Sequence, residues 1–234
     1  MFDTASNRAR SVSRPAWGDA HTLAVVIATA VAVGVKSPVV LASVALCSFA
    51  ILLVQYRGRW TPNGAFGAAN LLTSVRLTMS LALLAAHGLL SNPALAGVAL
   101  SILILDGVDG WLARRLGLSS DFGARYDVET DGLFVLAMAM VLLARGITGP
   151  WVLIAGLWRY FYVLARLIVP SPIEAPRTLF GRVSYASLLS SFVLALLVPG
   201  TWGAAVAGLG TVLVSISFVR SFYQCYFPAP PNRA

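Results

Sequence analysis

Charged residues are scarce in this chain. Of its 234 residues, 11% are charged and 58% are hydrophobic. A soluble globular domain normally carries about 25% charged residues. The deficit, together with a mean hydropathy of +0.81, excludes an ordinary soluble protein and indicates an integral membrane protein.

Lysine and cysteine are also rare. Lys36 is the only lysine among 17 basic residues, so the net charge of +8 comes from arginines, which are scattered between apolar runs. This scatter favours contact with an anionic lipid surface or an anionic substrate over nucleic acid binding. The two cysteines, Cys47 and Cys225, lie in or beside apolar runs. They make neither a disulfide framework nor a zinc site.

Long apolar runs make up most of the chain. A membrane-spanning helix needs about 20 mostly apolar residues, and the alternation of period two that marks a membrane barrel is absent. Backbone polar groups find no partner in lipid, so the runs are predicted to be helices. The eight predicted spans are Ala20–Val35, Pro38–Tyr56, Asn70–Leu90, Ala94–Leu116, Tyr126–Arg145, Pro150–Val169, Val183–Val198 and Gly203–Tyr226. The predicted fold class is therefore an all-α integral membrane protein.

The arginine distribution predicts the topology. If the N-terminus is cytoplasmic, most arginines lie in or near cytoplasmic segments, and the opposite side keeps only Lys36 and Arg145. Eight spans then place both termini inside. The predicted organisation is a tail (1–19), a transmembrane hairpin (20–60), a six-helix membrane domain (61–226) and a second tail (227–234). A cleaved signal peptide is the alternative for the first run, but a second apolar run follows almost at once.

Acidic residues are concentrated in one stretch. Six of the nine acidic residues lie between positions 106 and 131. Asp106 and Asp109 are three residues apart, and Asp127 and Asp131 are four apart on the next predicted helix, so each pair shares one helix face. An antiparallel connection brings the two faces to one membrane depth. Four such carboxylates would repel unless they share cations, and oxygen ligands at this density predict Mg2+, Mn2+ or Ca2+.

Pairing with basic residues is an alternative for these aspartates. The nearby candidates are Arg114, Arg115 and Arg125. The acids outnumber these partners, and ionisable residues within membrane spans are functional candidates. Glu129 faces away from Asp127 and Asp131 on a helical wheel, so we expect it to pair with an arginine. Asp121 is expected to cap the following helix.

The residues between the acidic pairs fit a phosphate ligand. Gly110 and Gly123 allow a ligand or a backbone to approach closely. Ala113 is small enough for a tight helix contact. Arg114 is a fixed cation suited to a phosphate group. Together with a metal cluster, these residues indicate a diphosphate ligand.

This stretch resembles a known family signature. The residues that carry the resemblance are Asp106, Asp109, Gly110, Ala113, Arg114, Gly123, Asp127 and Asp131, with the gaps of the CDP-alcohol phosphotransferase signature. The family is a six-helix membrane enzyme, usually a homodimer, that acts on CDP-linked lipids or alcohols. The resemblance implies that the six-helix domain is catalytic. The helices before residue 60 lie outside the family core.

The resemblance also implies roles for single residues. The implied ligands of a pair of Mg2+ or Mn2+ ions are Asp106, Asp109, Asp127 and Asp131, of which Asp131 is also the implied base. The implied lining of the cytidine diphosphate site is Gly110, Ala113, Arg114 and Gly123. Upstream, Asn70, Thr73 and Arg76 resemble the family's first core helix, and the resemblance implies that they too belong to the binding site. Arg177 and Arg182 resemble a basic stretch that meets charged head groups in some relatives, although Arg177 is equally compatible with a solvated anchor.

The sequence therefore predicts a transferase of phospholipid biosynthesis. Its preference for arginine favours a bacterial source, and hence an inner membrane with the site on the cytoplasmic side. The expected partners are a CDP-linked lipid or alcohol donor, a small polar alcohol acceptor, membrane lipids and a second copy of the chain. CDP-diacylglycerol is the favoured donor, although CDP-choline and CDP-ethanolamine serve the same motif.

Two other functions are compatible with intramembrane aspartates. A cation- or proton-coupled transporter would use them as an ion site, and it predicts carboxylates near the bilayer midplane between broken helices. A catalytically silent scaffold is the third hypothesis, and the intact set of four aspartates argues against it.

Overall fold

The computed structural model describes residues 16–116, 120–169, 178–198 and 200–226, with the backbone alone at residues 16 and 108–116. Its elements are α1 (Ala16–Gly34), α2 (Val39–Gln55), α3 (Ala68–Ala86), α4 (Asn92–Leu116), α5 (Asp121–Ala144), a 3-10 turn (Pro150–Val152), α6 (Leu153–Ile168), α7 (Leu179–Leu197) and α8 (Thr201–Tyr226). No strand occurs among these described residues. The all-α membrane fold predicted from the apolar runs is confirmed.

A serine cap sets the start of α5. The Ser120 hydroxyl accepts a hydrogen bond from the Gly123 backbone N–H at 3.0 Å. This bond satisfies one of the donors that a helix start leaves unpaired. Asp121, which we expected to be the cap, instead lies in the first turn. The helix therefore begins five residues before the predicted span at Tyr126, because the cap and not the apolar run decides where it starts.

Helix α5 forms the centre of the bundle. Every residue from Gly132 to Leu142 is buried, since α3, α6 and α7 all pack against this helix. A helix that is apolar on all sides is typical of a bundle centre. The backbones of α5 and α6 come close at Gly156 of α6, where a Cβ would lie 2.5 Å from Cα of Leu136. This packing anchors the second half of α5 and so supports the charged first half.

The outer surface of the bundle suits lipid. Five helices are long and apolar enough to cross a membrane, namely α1, α3, α6 with its preceding turn, α7 and α8. Helix α2 and the apolar part of α4 are shorter, and α5 carries acidic residues in its first half. Large apolar side chains such as Leu194, Leu209 and Ile216 are exposed. Such an exposed apolar surface marks an integral membrane protein.

The first two helices form a hairpin that packs on the rest of the bundle. Helix α1 contacts α6, and α2 contacts α3. Within the hairpin, Trp17 Nε1 donates to the Ser48 carbonyl oxygen at 2.8 Å. His21 Nδ1 lies 2.7 Å from Ser48 Oγ. These bonds join the first turns of α1 to the second half of α2.

Candidate active site

Arg76 of α3 lies among the carboxylates of the acidic cluster. Its side chain is 1% exposed and makes ion pairs with Asp106 of α4 and with Asp127 and Asp131 of α5. The Nη2–Oδ1 distance to Asp106 is 2.6 Å, and the Nη1–Oδ1 distance to Asp127 is 2.8 Å. A buried guanidinium needs such partners, because an unpaired buried charge is costly. One arginine thus joins three helices at the cluster.

The arginine that pairs with the aspartates is not one of those considered from the sequence. Pairing with Arg114, Arg115 or Arg125 was the alternative to a metal site. The side chains of Arg114 and Arg115 lie outside the described residues. Among the described ion pairs, those of the three aspartates come from Arg76 and not from Arg125. The partner lies on another helix, about 30 to 55 positions earlier in the chain.

The cluster has the donor set of a divalent cation site. One carboxylate oxygen each from Asp106, Asp127 and Asp131 lie within 4.8 Å of one another. The three side chains are half-buried, which keeps them reachable from the end of the bundle. Hard oxygen donors in this number suit Mg2+ or Mn2+. The side chain of Asp109, the fourth predicted ligand, lies outside the described residues.

Glu129 lies on the opposite face of α5. It forms a bidentate ion pair with Arg159 of α6, with Nη2–Oε1 at 2.6 Å and Nε–Oε2 at 3.1 Å. The expectation that Glu129 pairs with an arginine is confirmed. The pair joins α5 to α6 directly behind the cluster, and bidentate geometry makes it a specific contact. Gly132 makes room for it, because a Cβ there would lie 2.5 Å from Cδ of Arg159.

Asn70 of α3 and the Ser120 cap of α5 share a hydrogen-bond acceptor in the segment before α3. Its Nδ2 donates to the Phe66 carbonyl oxygen at 2.6 Å and to the Trp60 carbonyl oxygen at 3.3 Å. Ser120 donates to the same Trp60 oxygen at 2.7 Å. A Cβ on Gly123 would lie 3.0 Å from Asn70 Oδ1. Two predicted site residues, Asn70 and Gly123, are therefore in close contact at the cap of α5.

The other predicted site residues are not all brought to the cluster. Thr73 is buried and donates its hydroxyl hydrogen bond to the Ala69 carbonyl oxygen within α3, at 3.1 Å. Arg182 is exposed in the first turn of α7. The side chains of Gly110, Ala113 and Arg114, as well as all of Arg177, lie outside the described residues.

A cavity of about 300 Å³ adjoins Asp131 between α5, α6, α7 and α8. Its polar side is formed by Asp131, Arg159, Tyr162 and Tyr185, and its apolar side includes Val135, Leu188, Val214 and Phe218. The two tyrosines were missed in the sequence reasoning. The signal that could have found them is a tyrosine within a predicted membrane span, since its hydroxyl needs a polar partner there. An amphipathic cavity of this kind is typical of ligand sites.

The comparison with known families agrees with this site. A family model for CDP-alcohol phosphatidyltransferase matches residues 66–219. The match includes all four aspartates, whereas α1 and α2 precede it. It decides for an enzyme over the transporter and scaffold alternatives, since the family's members transfer substituted phosphate groups from CDP-alcohol donors within membranes. The chain belongs to the CDP-alcohol phosphatidyltransferase family.

Proposed function

We propose that the protein transfers a phosphatidyl group from CDP-diacylglycerol to a small polar alcohol and releases CMP. The observation that carries this proposal is the group of carboxylate oxygens from α4 and α5, which lie within 4.8 Å of one another beside an amphipathic cavity. A polar reagent and the apolar part of a lipid can therefore meet at one carboxylate, that of Asp131. Such a meeting point suits a reaction between a lipid-linked phosphate and a water-soluble alcohol.

The carboxylates are the proposed metal ligands. A divalent cation held by Asp106, Asp127 and Asp131, and on the resemblance a second one held with Asp109, would neutralise the donor diphosphate and stabilise the departing CMP. Mg2+ and Mn2+ are the proposed ions. Arg76 holds the same carboxylates on α4 and α5 at one depth, so it keeps the ligands together.

The cytidine diphosphate site is proposed along the signature residues of α4 and α5. The residues proposed to line it are Gly110, Ala113, Arg114 and Gly123. Glycine and alanine allow the diphosphate to approach the backbone, and a guanidinium pairs with a phosphate group in a fork geometry. Asn70 contributes by packing against Gly123 at the start of α5, and Arg76 contributes by holding the carboxylates of α5 in place. Thr73 stays a prediction for this site.

Asp131 is the proposed base, because it belongs to both the carboxylate group and the cavity wall. Its carboxylate takes the proton of the acceptor hydroxyl. The acceptor oxygen then bonds to the phosphatidyl phosphorus, and the bond from this phosphorus to the oxygen of CMP breaks. CMP leaves with the bonding electrons. Arg177 and Arg182 are proposed to meet charged head groups at this end of the bundle.

The membrane setting completes the proposal. The site is proposed to face the cytoplasm in a bacterial inner membrane, because the arginines concentrate at that end of the predicted spans. CMP and its nucleotide precursors are water-soluble, so this side gives them direct access. The family resemblance favours a homodimer. The domain boundaries at residues 20, 61 and 227 likewise stay predictions.

Purified full-length protein in lipid vesicles tests the proposal. CDP-diacylglycerol is offered with serine, inositol phosphate, glycerol 3-phosphate or choline, and the lipid product is identified by mass spectrometry. We expect a new phospholipid with one acceptor, in an amount equal to the CMP released. A product formed only from CDP-choline or CDP-ethanolamine with diacylglycerol would contradict the donor assignment. No product with any donor would contradict the proposed function.

A further inference from the structure

We propose that the N-terminal hairpin, α1 and α2, is a positioning element of the carboxylate cluster. It lies outside residues 66–219, which the family model matches. Its buried rings nevertheless contact the residues next in sequence to Asp127 and Arg159. The proposal rests on the metal-binding role that the proposed function gives to the cluster.

The first contact is between Phe49 of α2 and Tyr126 of α5. The ring centroids are 5.8 Å apart in an edge-to-face arrangement, and both side chains are at most 1% exposed. Tyr126 directly precedes Asp127, and its hydroxyl lies 2.9 Å from the hydroxyl of Ser74 on α3. Edge-to-face ring pairs of this kind are directional contacts. Phe49 therefore supports α5 through Tyr126, whose side chain leaves the helix about 100° around its axis from that of Asp127.

The second contact is between His21 of α1 and Tyr160 of α6. Their ring centroids are 6.2 Å apart, and both residues are almost completely buried. Tyr160 directly follows Arg159, which forms the bidentate pair with Glu129 of α5. His21 is held in turn by Ser48 and by stacking on Trp17, with ring centroids 4.6 Å apart. The hairpin thus reaches α5 both directly and through α6.

The two contacts support α5, directly or through α6, away from the face that Arg76 holds. Arg76 of α3 holds Asp127 and Asp131 on one face, and the hairpin rings together with Arg159 bear on the others. Asp106 belongs to a different helix, so a shift of α5 towards the hairpin would separate its carboxylates from that of Asp106. The distances between carboxylates on two helices therefore depend on the residues that pack against those helices. Residues that contact metal ligands orient them in the same way in other metal sites.

The test compares truncation of a buried ring with truncation of a lipid-facing side chain in the same hairpin. The variants are Phe49→Ala, His21→Ala and the control Leu46→Ala, because Leu46 of α2 is 56% exposed. Binding of Mn2+ to full-length protein in detergent is followed by the electron paramagnetic resonance of free Mn2+, without substrate. Thermal unfolding is recorded in parallel, and binding is measured well below each transition.

We expect Phe49→Ala and His21→Ala to weaken Mn2+ binding about tenfold, in the range found for outer partners of metal ligands. Leu46→Ala should bind Mn2+ as the wild type does. In the transfer assay, excess Mn2+ should restore the rate of the two ring variants. If Phe49→Ala does not fold, Phe49→Leu, which keeps most of the side-chain volume, takes its place with a smaller expected loss.

Three outcomes would overturn the inference. Ring variants that unfold at lower temperature but bind Mn2+ like the wild type would show a purely structural hairpin and leave the proposed function intact. An equal loss of Mn2+ affinity in Leu46→Ala would show that the effect does not come from the ring contacts. A wild type that does not bind Mn2+ would overturn the proposed function as well as the inference.

Discussion

Arg76 Nη1 donates to Asp127 Oδ1 at 2.8 Å and so joins α3 to α5 inside the acidic cluster. The same guanidinium also contacts Asp106 and Asp131. A single buried cation therefore partly neutralises three carboxylates that would otherwise repel each other. Removal of the Arg76 guanidinium should therefore lower stability most when no divalent cation is present to neutralise the carboxylates.

The substitution Arg76→Gln tests this balance of charge. In the presence of EDTA we expect the free energy of unfolding to fall by roughly 2 kcal/mol, which is the scale of a hydrogen bond to a charged group. Added Mn2+ should return much of that loss, because a ligand that binds only the folded state stabilises it. Thermal unfolding in detergent measures the loss of stability with EDTA and its recovery with Mn2+. An equal loss under the two conditions would show that Arg76 does not share its carboxylates with a cation.

The Glu129–Arg159 pair predicts a strong coupling between two residues. Removing one partner leaves a buried charge, so Glu129→Leu should destabilise the protein by about 3 kcal/mol. The double variant Glu129→Leu with Arg159→Met should lose less than the sum of the single changes, since neither charge then remains. Thermal unfolding of the three variants gives the coupling. Additive losses would mean that the coupling free energy between the two side chains is zero.

The close approach of α6 to α5 predicts a steric effect at Gly156. A Cβ there would meet the backbone of Leu136 at 2.5 Å, so Gly156→Ala should force the helices apart and cost about 1–3 kcal/mol. Gly97→Ala is the matched control, because a Cβ at that helical position would meet no atom of another helix within 4 Å. Unfolding temperatures compare the two. A Gly156→Ala protein as stable as the control would contradict the described packing.

The helix pattern and the acidic cluster were predictable from local features of the sequence. Apolar length identified eight helices, and the offsets of three and four residues put the aspartate pairs on matching faces. The ends were less accurate, because apolar length reports the lipid-crossing part of a helix. Helix α7 begins at Leu179, after the Thr178 cap, and not at the predicted Val183. Caps act beyond the apolar run and so lengthen helices at the polar end.

The partners of buried polar groups could not be predicted in the same way. Arg76 was expected at the substrate site, whereas its ion pairs with three aspartates depend on how α3 packs against α4 and α5. The contact of Phe49 with Tyr126 depends on how the hairpin docks. Such contacts join residues far apart in the chain, and no local spacing encodes them. The pairing of Glu129 with an arginine was easier to predict, because its position on the helical wheel points its side chain away from Asp127 and Asp131.

The most direct test of the account is CMP release from CDP-diacylglycerol by Asp131→Asn protein beside the wild type. Asp121→Asn is the control, since Asp121 is an exposed carboxylate in the first turn of the same helix. With Mn2+ and the identified acceptor, the wild type and Asp121→Asn should release CMP, and EDTA should stop them. Asp131→Asn should lose at least about a hundredfold in rate, the scale of a missing general base. Release by Asp131→Asn at the wild-type rate would contradict the assignment of Asp131 as the base.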